Sequence, residues 1–438
     1  MNPTVLVILS IPALLTLLLL GIPIFVSLGI IGIVGVLCMN GVPSAIGLMS
    51  EVPFSAVGTY DFAVLPLFSL MGLFAFHAGV TSNAFEMARK WLSRFPGGLA
   101  LATTLACAVF GAACGSSVAA ATTMGKIAIP EMERSGYDKK LACGSVAAGG
   151  LLAIMIPPSV ILVLYAIFTD NSVGACLLAG FIPGIVTTIV FMAGISFLTW
   201  RNPSLAPPSR TYSWKDRISS LRGAWNVVVL FVIVIGGIYA GVFTPTEAAA
   251  GGAFMAFILL LAKGGKVSRN IKESLKDSIQ TTVFILIIIV CASFYSYFLL
   301  TAGVPTAISE WVRTLNVPPI FIVVGALSLY LPLGCLLDPT SCLLITLPLT
   351  YPLVVRELGY SPVWFAVLVT KMIEIGLLTP PVGLNVFAVA GVAPHVPLED
   401  IFRGIGWFLV FELVSLILLI AFPILATWLP SMMMSRGY

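Results

Sequence analysis

Charge is what this sequence lacks most. Only 9% of its 438 residues are Asp, Glu, Lys or Arg, where a soluble domain carries about a quarter. With 59% hydrophobic residues and a mean hydropathy of +1.09, no water-facing surface could be assembled, so lipid must be the solvent. Histidine is almost missing: His77 and His395 are too few for a metal cluster, and His77 reads as a packing residue rather than a proton carrier. The eight cysteines lie mostly in apolar segments without CxxC spacing, which argues for buried thiols over a zinc site or a disulfide framework. Neither HExxH nor GxSG with a histidine occurs, so the chain is not expected to be an enzyme. No span carries a full polar stripe, as a channel would need. The net charge of +4 comes from basic residues scattered in short loops, which form no nucleic-acid face. No basic segment precedes the first apolar run, so residues 4–20 are expected to be a retained helix rather than a cleaved signal.

What is present is a series of apolar runs of spanning length: near 4–20, 23–40, 54–78, 141–166 and 176–199, then 224–242, 246–262, 280–300, 363–395 and 405–429. Two further regions, 97–130 and 319–350, are too long for one span and are interrupted by Gly, Ser, Pro and Asp, as re-entrant hairpins would be. The distribution of basic residues tests this layout. If 201–222 (Arg201, Arg210, Lys215, Arg217, Arg222) is cytoplasmic, then 89–94, 131–140, 263–276 and Arg403 fall on the same side. Only Arg313, Arg356 and Arg436 remain outside, with Lys126 and Lys371 inside membrane segments. The asymmetry holds only if both long regions return to the side they entered from.

The two halves repeat. Pro23, Gly29 and Pro130 recur as Pro245, Gly251 and Pro352, all at one shared offset in residue number. Gly136-Tyr137, Pro157-Pro158 and Pro96 recur as Gly359-Tyr360, Pro380-Pro381 and Pro319, at that offset plus a single-residue slip. Five spans and one hairpin per half make the second copy enter the membrane from the opposite side. The expected fold is therefore an all-α integral membrane protein of two inverted repeats, an arrangement typical of secondary transporters with a site at the midplane. Residues 1–200 form the first repeat and 224–438 the second, with 201–223 a cytoplasmic linker that has a weak helical signal around Trp214.

Chemistry is expected where the apolar runs break. Gly111 to Ser117 would make one hairpin tip, and Gly149 to Ser159 brings a Pro157-Pro158 interruption. Two consecutive prolines remove two backbone donors, so the carbonyls near Ala153 to Ile156 lose their partners. Bare carbonyls at membrane depth are tolerated only where they line a cavity or coordinate something, and a sodium ion takes such neutral oxygens. The second half repeats the design with a tip at Gly334 to Thr340 and a break at Gly376 to Gly383. Half-helix N-termini at such breaks suit an anion. Lys371 and Glu374, on one helical face, form either a structural ion pair or, for Lys371, an attractor for a substrate carboxylate. Asp338 either neutralises a cation or caps a half-helix. Lys126 is expected to snorkel. Asp61, Glu247 and Glu412 are placed near span ends and assigned nothing.

Together Gly115-Ser116-Ser117-Val-Ala, Ile129-Pro130-Glu131-Met132, Ile156-Pro157-Pro158-Ser159 and Gly376-Leu-Leu-Thr379-Pro380-Pro381-Val382-Gly383 resemble the large membrane subunit of tripartite ATP-independent periplasmic (TRAP) transporters, across essentially the whole chain. The resemblance implies a multi-pass protein of the bacterial inner membrane that takes up an organic acid by sodium-coupled, elevator-type transport. It implies two partners, a periplasmic substrate-binding protein and a small four-helix membrane subunit, for which no extra four-span block is seen before residue 4 or after 429. It also implies two sodium sites: one from Gly111, Cys114, Ser116, Ala153, Ile156 and Pro158, the other from Gly334, Cys335, Gly376, Thr379 and Val382. Substrate contacts are expected from Ser117, Ser159, Asp338, Thr340, Lys371, Pro381 and Gly383. Cys114 departs from the family's usual Ser, which leaves its carbonyl but not a hydroxyl. The rival readings are a stand-alone ion-coupled carboxylate carrier or a sodium/proton antiporter. The latter is expected to hold acidic residues where its broken helices cross, and these breaks carry mainly Gly, Thr and Pro.

Overall fold

The computed structural model describes residues 3–207, 212–315 and 317–434; Arg210 and Arg436 of the charge layout lie outside the described residues. Among these the chain is helical throughout, without a strand. Among the described residues eight helices are long and apolar enough to cross a membrane, or nine if the bent pair Trp214–Leu221 and Trp225–Tyr239 is one span. Four of them, Ile24–Val57, Tyr60–His77, Pro245–Lys263 and Val267–Thr301, pack into one layer. Glycine spacing explains the closest of these crossings. Gly29, Gly32 and Gly35 recur along one face and sit on Cys291, Phe294 and Phe298 of the facing helix. A methyl on Gly32 would lie 2.5 Å from the Phe294 carbonyl carbon, the close backbone approach that small residues permit between membrane helices.

Against this layer sit the interrupted elements. The first hairpin has arms Gly98–Cys114 and Ser117–Arg134, and the first broken helix has halves Lys139–Met155 and Val160–Phe168. The second hairpin runs through Pro319–Ser328 and Tyr330–Leu336 to Pro339–Tyr351, and the second broken helix is Pro362–Leu378 with Leu384–Val392. Helices Val173–Arg201 and Leu398–Ala421 close this unit. Starts are set by side-chain caps. Asp138 accepts from the Lys140 amide at 2.8 Å, and Ser172 accepts from the Ala175 amide at 3.3 Å. Ser213 pairs with Asp216 in a capping box.

The hydropathy runs are refined at three places. The run 23–40 ends where helical geometry breaks: Gly41, at φ +82° and ψ 178°, separates it from a second helical stretch that reaches Val57. The run 405–429 divides at Phe422, since Pro423 cannot donate to the helix before it. The weak helical signal around Trp214 becomes the start of Trp214–Phe231, where Trp214–Leu221 is bent by 41° from Trp225–Tyr239. The ion pairs follow the expected sidedness. Arg89–Glu131, Lys140–Asp400 and His395–Glu133 draw the 89–94, 131–140 and 395–403 segments together, and the Trp91 indole donates to the Arg217 carbonyl of the linker. Arg313 pairs instead with Glu357 at 2.7 Å, between segments assigned to the outside.

Candidate functional site

Each hairpin tip rests on a broken helix. In the first pair, a methyl on Gly111 would lie 2.6 Å from Ala153 Cα, and one on Gly115 (φ +65°) would lie 2.8 Å from the Pro158 carbonyl oxygen. In the second, a methyl on Gly376 would lie 2.7 Å from Gly334 Cα, and the Gly383 amide donates to the Cys335 carbonyl at 3.3 Å. Both contacts need glycine, because a side chain on the tip would hold it off the helix end. The two junctions correspond residue for residue: Gly111 on Ala153 becomes Gly334 on Gly376, at the same offset that relates the two Pro-Pro pairs. Both Pro-Pro bonds, Pro157-Pro158 and Pro380-Pro381, are cis.

The residues named for the first ion set thus come together: Gly111, Ala153, Ile156 and Pro158 are buried at the junction, Cys114 is half-buried and Ser116 exposed. Ala153 and Ile154 would normally accept from residues 157 and 158, both prolines without an N–H. The second set meets likewise: Gly334, Cys335 and Gly376 are buried, with Thr379 and Val382 half-buried beside them. The Thr379 hydroxyl donates to the Ile375 carbonyl at 2.6 Å, leaving its oxygen lone pairs free to accept or ligate. Among the described residues no three His, Cys, Asp or Glu side chains are grouped to hold a metal, so any cation here meets backbone and hydroxyl oxygen.

The expected substrate contacts divide. Ser117, Ser159 and Thr340 are buried at half-helix starts, and Ser159 caps its half by accepting from the Leu162 amide at 3.3 Å. Asp338 is likewise a cap, accepting from the Ser341 amide at 3.1 Å and its hydroxyl at 2.5 Å. Pro381 is exposed and Gly383 buried at the second break. Lys371 is corrected: it is fully buried, and its ammonium is engaged by Glu374 at 3.0 Å, by the Thr187 hydroxyl at 3.1 Å and by Glu412. All three ammonium protons have partners, so none is offered to a substrate. Glu412 is corrected too. It is fully buried inside Leu398–Ala421, not near a span end. The breaks themselves carry mainly Gly, Thr and Pro, as read from the sequence, and Glu374 and Glu412 pair with Lys371 in the helices beside the second one. Lys126 is exposed, as snorkelling requires. Asn385, unflagged in the sequence, is fully buried just past the second break and donates to the Ala147 carbonyl at 3.1 Å, tying the two broken helices together. Its only signal was a lone amide in an apolar run.

Two clefts flank the junctions. One, of about 230 Å³, lies between the first tip and the helical layer, lined by Ser69, Cys114, Ser116, Thr123, Asp277 and Thr281 among others. The other, of about 470 Å³, is lined by Ser55, Thr169, Ser293, Ser296, Tyr351 and Arg356. Helix Val267–Thr301 lines both, with its apolar middle, Ile288 to Ala292, largely buried between them. Clefts with mainly apolar walls and a few polar groups along one long helix, beside interrupted half-helices, are an arrangement that secondary transporters use.

The comparisons agree. The family profile described as "Tripartite ATP-independent periplasmic transporter, DctM component" matches residues 11–425, and the chain belongs to this family of TRAP large permease subunits of the bacterial inner membrane. It is 34% identical to the C4-dicarboxylate TRAP transporter large permease protein DctM of Pseudomonas aeruginosa, over 92% of this chain and 94% of that one. It is 28% identical to the sialic acid TRAP transporter large permease protein SiaM of Vibrio cholerae, over 97% and 98%. The isethionate TRAP transporter permease protein DctMQ of Oleidesulfovibrio alaskensis is 28% identical over 95% of this chain and 64% of its own length. Among solved structures, the YdaH transporter of Alcanivorax borkumensis shares the fold, with a TM-score of 0.56 at 14% identity over 88% of this chain and 90% of that one.

Proposed function

We propose that this permease carries out sodium-coupled uptake of a small organic acid anion, handed to it by a periplasmic binding protein and moved in company with a small four-helix membrane subunit. The observation that carries this reading is the paired junction. Each hairpin tip is pressed by glycine contacts onto a helix where Pro-Pro removes the usual donors, those of Ala153 and Ile154 in the first and Leu377 in the second, while the Gly376 carbonyl still accepts from the Thr379 amide at 3.0 Å. Neutral oxygens in a dry setting suit a singly charged, weakly hydrated cation, and two junctions suit two such ions. The half-helices beginning at Ser117, Val160, Pro339 and Leu384 present N-terminal amides, which suit an anion. We assign the ion sets as above and the substrate to Ser117, Ser159, Asp338, Thr340, Pro381 and Gly383, without Lys371.

The relatives named above are called after C4-dicarboxylate, sialic acid and isethionate, all anions. The DctMQ relative is longer than this chain, which fits a fused small subunit. The two halves are read as inverted repeats, and the unit of hairpins and broken helices as the part that travels, elevator-fashion, along Val267–Thr301 between the clefts. Between the middle of the first cleft's lining on that helix and the middle of the second's lie about four helical turns, or roughly 23 Å at about 1.5 Å per residue.

The test is uptake of radiolabelled acids into proteoliposomes holding the chain and its small partner, with and without a sodium gradient and the binding protein. Dependence on both is expected. Uptake that ignores the binding protein would replace this reading with a stand-alone carrier, and uptake driven by a proton gradient alone would replace sodium.

A further inference from the structure

Lys371, Glu374 and Glu412 form a fully buried charge cluster that the transport reading does not use. Three helices meet there: Lys371 and Glu374 on Pro362–Leu378, Glu412 on Leu398–Ala421, and the Thr187 hydroxyl on Val173–Arg201. One ammonium faces two carboxylates, so with both ionised the cluster carries one negative charge in excess. Glu374 Oε1 and Glu412 Oε1 each lack a hydrogen-bond partner, so this excess is not dispersed into donors. An uncompensated buried charge is strongly unfavourable, and it is relieved either by a proton on one carboxylate or by a cation close by. The second ion set lies within reach. Gly376 and Thr379 follow Glu374 in the same segment, about 3 and 7.5 Å further along the axis. Every ligand of that set is a neutral oxygen.

We propose that the Lys371–Glu374–Glu412 cluster is the counter-charge of the second ion site, supplying at a distance the negative charge that its carbonyl and hydroxyl ligands lack. Its carboxylates position no substrate and ligate no ion; they set the local potential. The design is one-sided. At the offset that relates the two Pro-Pro pairs, Lys371 and Glu374 fall on Ala148 and Leu151, both buried and apolar. The first ion site has no such buried cluster: the carboxylate facing it is Asp277, on the cleft that Cys114 and Ser116 also line, and it is exposed and therefore screened, so the second site is expected to bind its cation more tightly.

This inference rests on the sodium-coupled reading, and the experiment separates the two. Purified full-length chain, alone and reconstituted with its small partner, is assayed for sodium-dependent thermal stabilisation and for the sodium dependence of uptake. In Glu374→Gln and Glu412→Gln the half-saturating sodium concentration should rise about tenfold, the scale of one charge acting across roughly 10 Å at an effective dielectric of about 20. Maximal uptake at saturating sodium should be retained. Thr187→Val, which leaves every charge in place, should leave sodium half-saturation unchanged. If either amide variant fails to fold, Lys371→Met/Glu374→Leu/Glu412→Leu removes the cluster as apolar volume, a replacement that buried ion triads often tolerate, and the same tenfold weakening is expected. Folded variants with wild-type sodium half-saturation would overturn the proposal, whether because the cluster is only a staple between helices or because a bound proton already cancels its charge. Wild-type protein indifferent to sodium in both assays would instead overturn the transport reading.

Discussion

Replacing Gly376 with Ala tests the tip–break junction at its tightest point. The added Cβ would lie 2.7 and 2.8 Å from Gly334 Cα and carbonyl carbon and 3.3 Å from the Cys335 amide nitrogen. Carbon atoms settle near ~3.5–4.0 Å apart, so the second hairpin tip must retreat by about 1 Å. The obstructing atoms are all backbone, so no rotamer can relieve the clash. Overpacking of this kind destabilises by about 1–3 kcal/mol, too little to unfold a helical bundle of this size but enough to lift the tip. Ligand distances at a cation site tolerate shifts of only about 0.2 Å, and a misplacement of ~1 Å in an assembled site has an effect on the order of 100-fold. Gly376→Ala is therefore expected to assemble in the membrane yet to lose about 100-fold in sodium-stimulated uptake, with half-saturating sodium displaced upward. Gly391→Ala is the matched control, since a methyl there meets nothing within 4 Å. The measurement is uptake into proteoliposomes over a sodium titration, with monodispersity checked in detergent. A Gly376→Ala protein with wild-type sodium half-saturation and rate would refute the assignment of the ion to this junction.

Other outcomes follow from the same geometry. Thr379→Val should weaken sodium roughly five- to tenfold, about one hydrogen bond's worth of free energy, and Thr379→Ser should restore it in the same titration. Cys114 lies on the cleft while Cys107, Cys143, Cys176, Cys335 and Cys342 are buried, so in a Cys38→Ser/Cys291→Ser background a maleimide should block uptake through Cys114 alone. Sodium with substrate should slow that labelling several-fold; labelling at an unchanged rate would place the cleft off the transport path. Gly32→Ala, whose methyl would meet the Phe294 carbonyl carbon at 2.5 Å, should lower thermal stability by about 1–3 kcal/mol without moving sodium half-saturation, because it spreads two helices of the supporting layer and touches neither junction.

Much of this was legible because the informative residues act through the backbone. A Pro-Pro pair removes two donors wherever it stands, and a Gly-rich turn after an overlong apolar run must either fold back or break. Gly111–Ser117, Pro157-Pro158 and their counterparts in the second half therefore announced the junctions without any contact map. The run 23–40 stops at Gly41 as hydropathy placed it, but the helical stretch from there to Val57 was not read, because its prolines and polar residues break up the apolar pattern. Glu412 was the larger miss. A carboxylate in an apolar run shows only its expense, and whether that expense is met depends on which other helix turns a cation toward it. Lys371 sits on a different helix, with Leu384–Val392 between the two, and shares no periodicity with Glu412. Lys371 with Glu374 left two readings open, an ion pair or an attractor for substrate; Glu412 and Thr187 decide for the first and make Lys371 the minority charge of a sealed cluster. The same logic separates this protein from a proton antiporter. An antiporter needs its carboxylates where water or the transported ion can touch them, whereas Glu374 and Glu412 are wholly enclosed, and the exposed oxygens at the breaks belong to backbone and to Thr379. The ion is thus expected to meet neutral ligands while the charge that draws it stays a helical turn or two behind them.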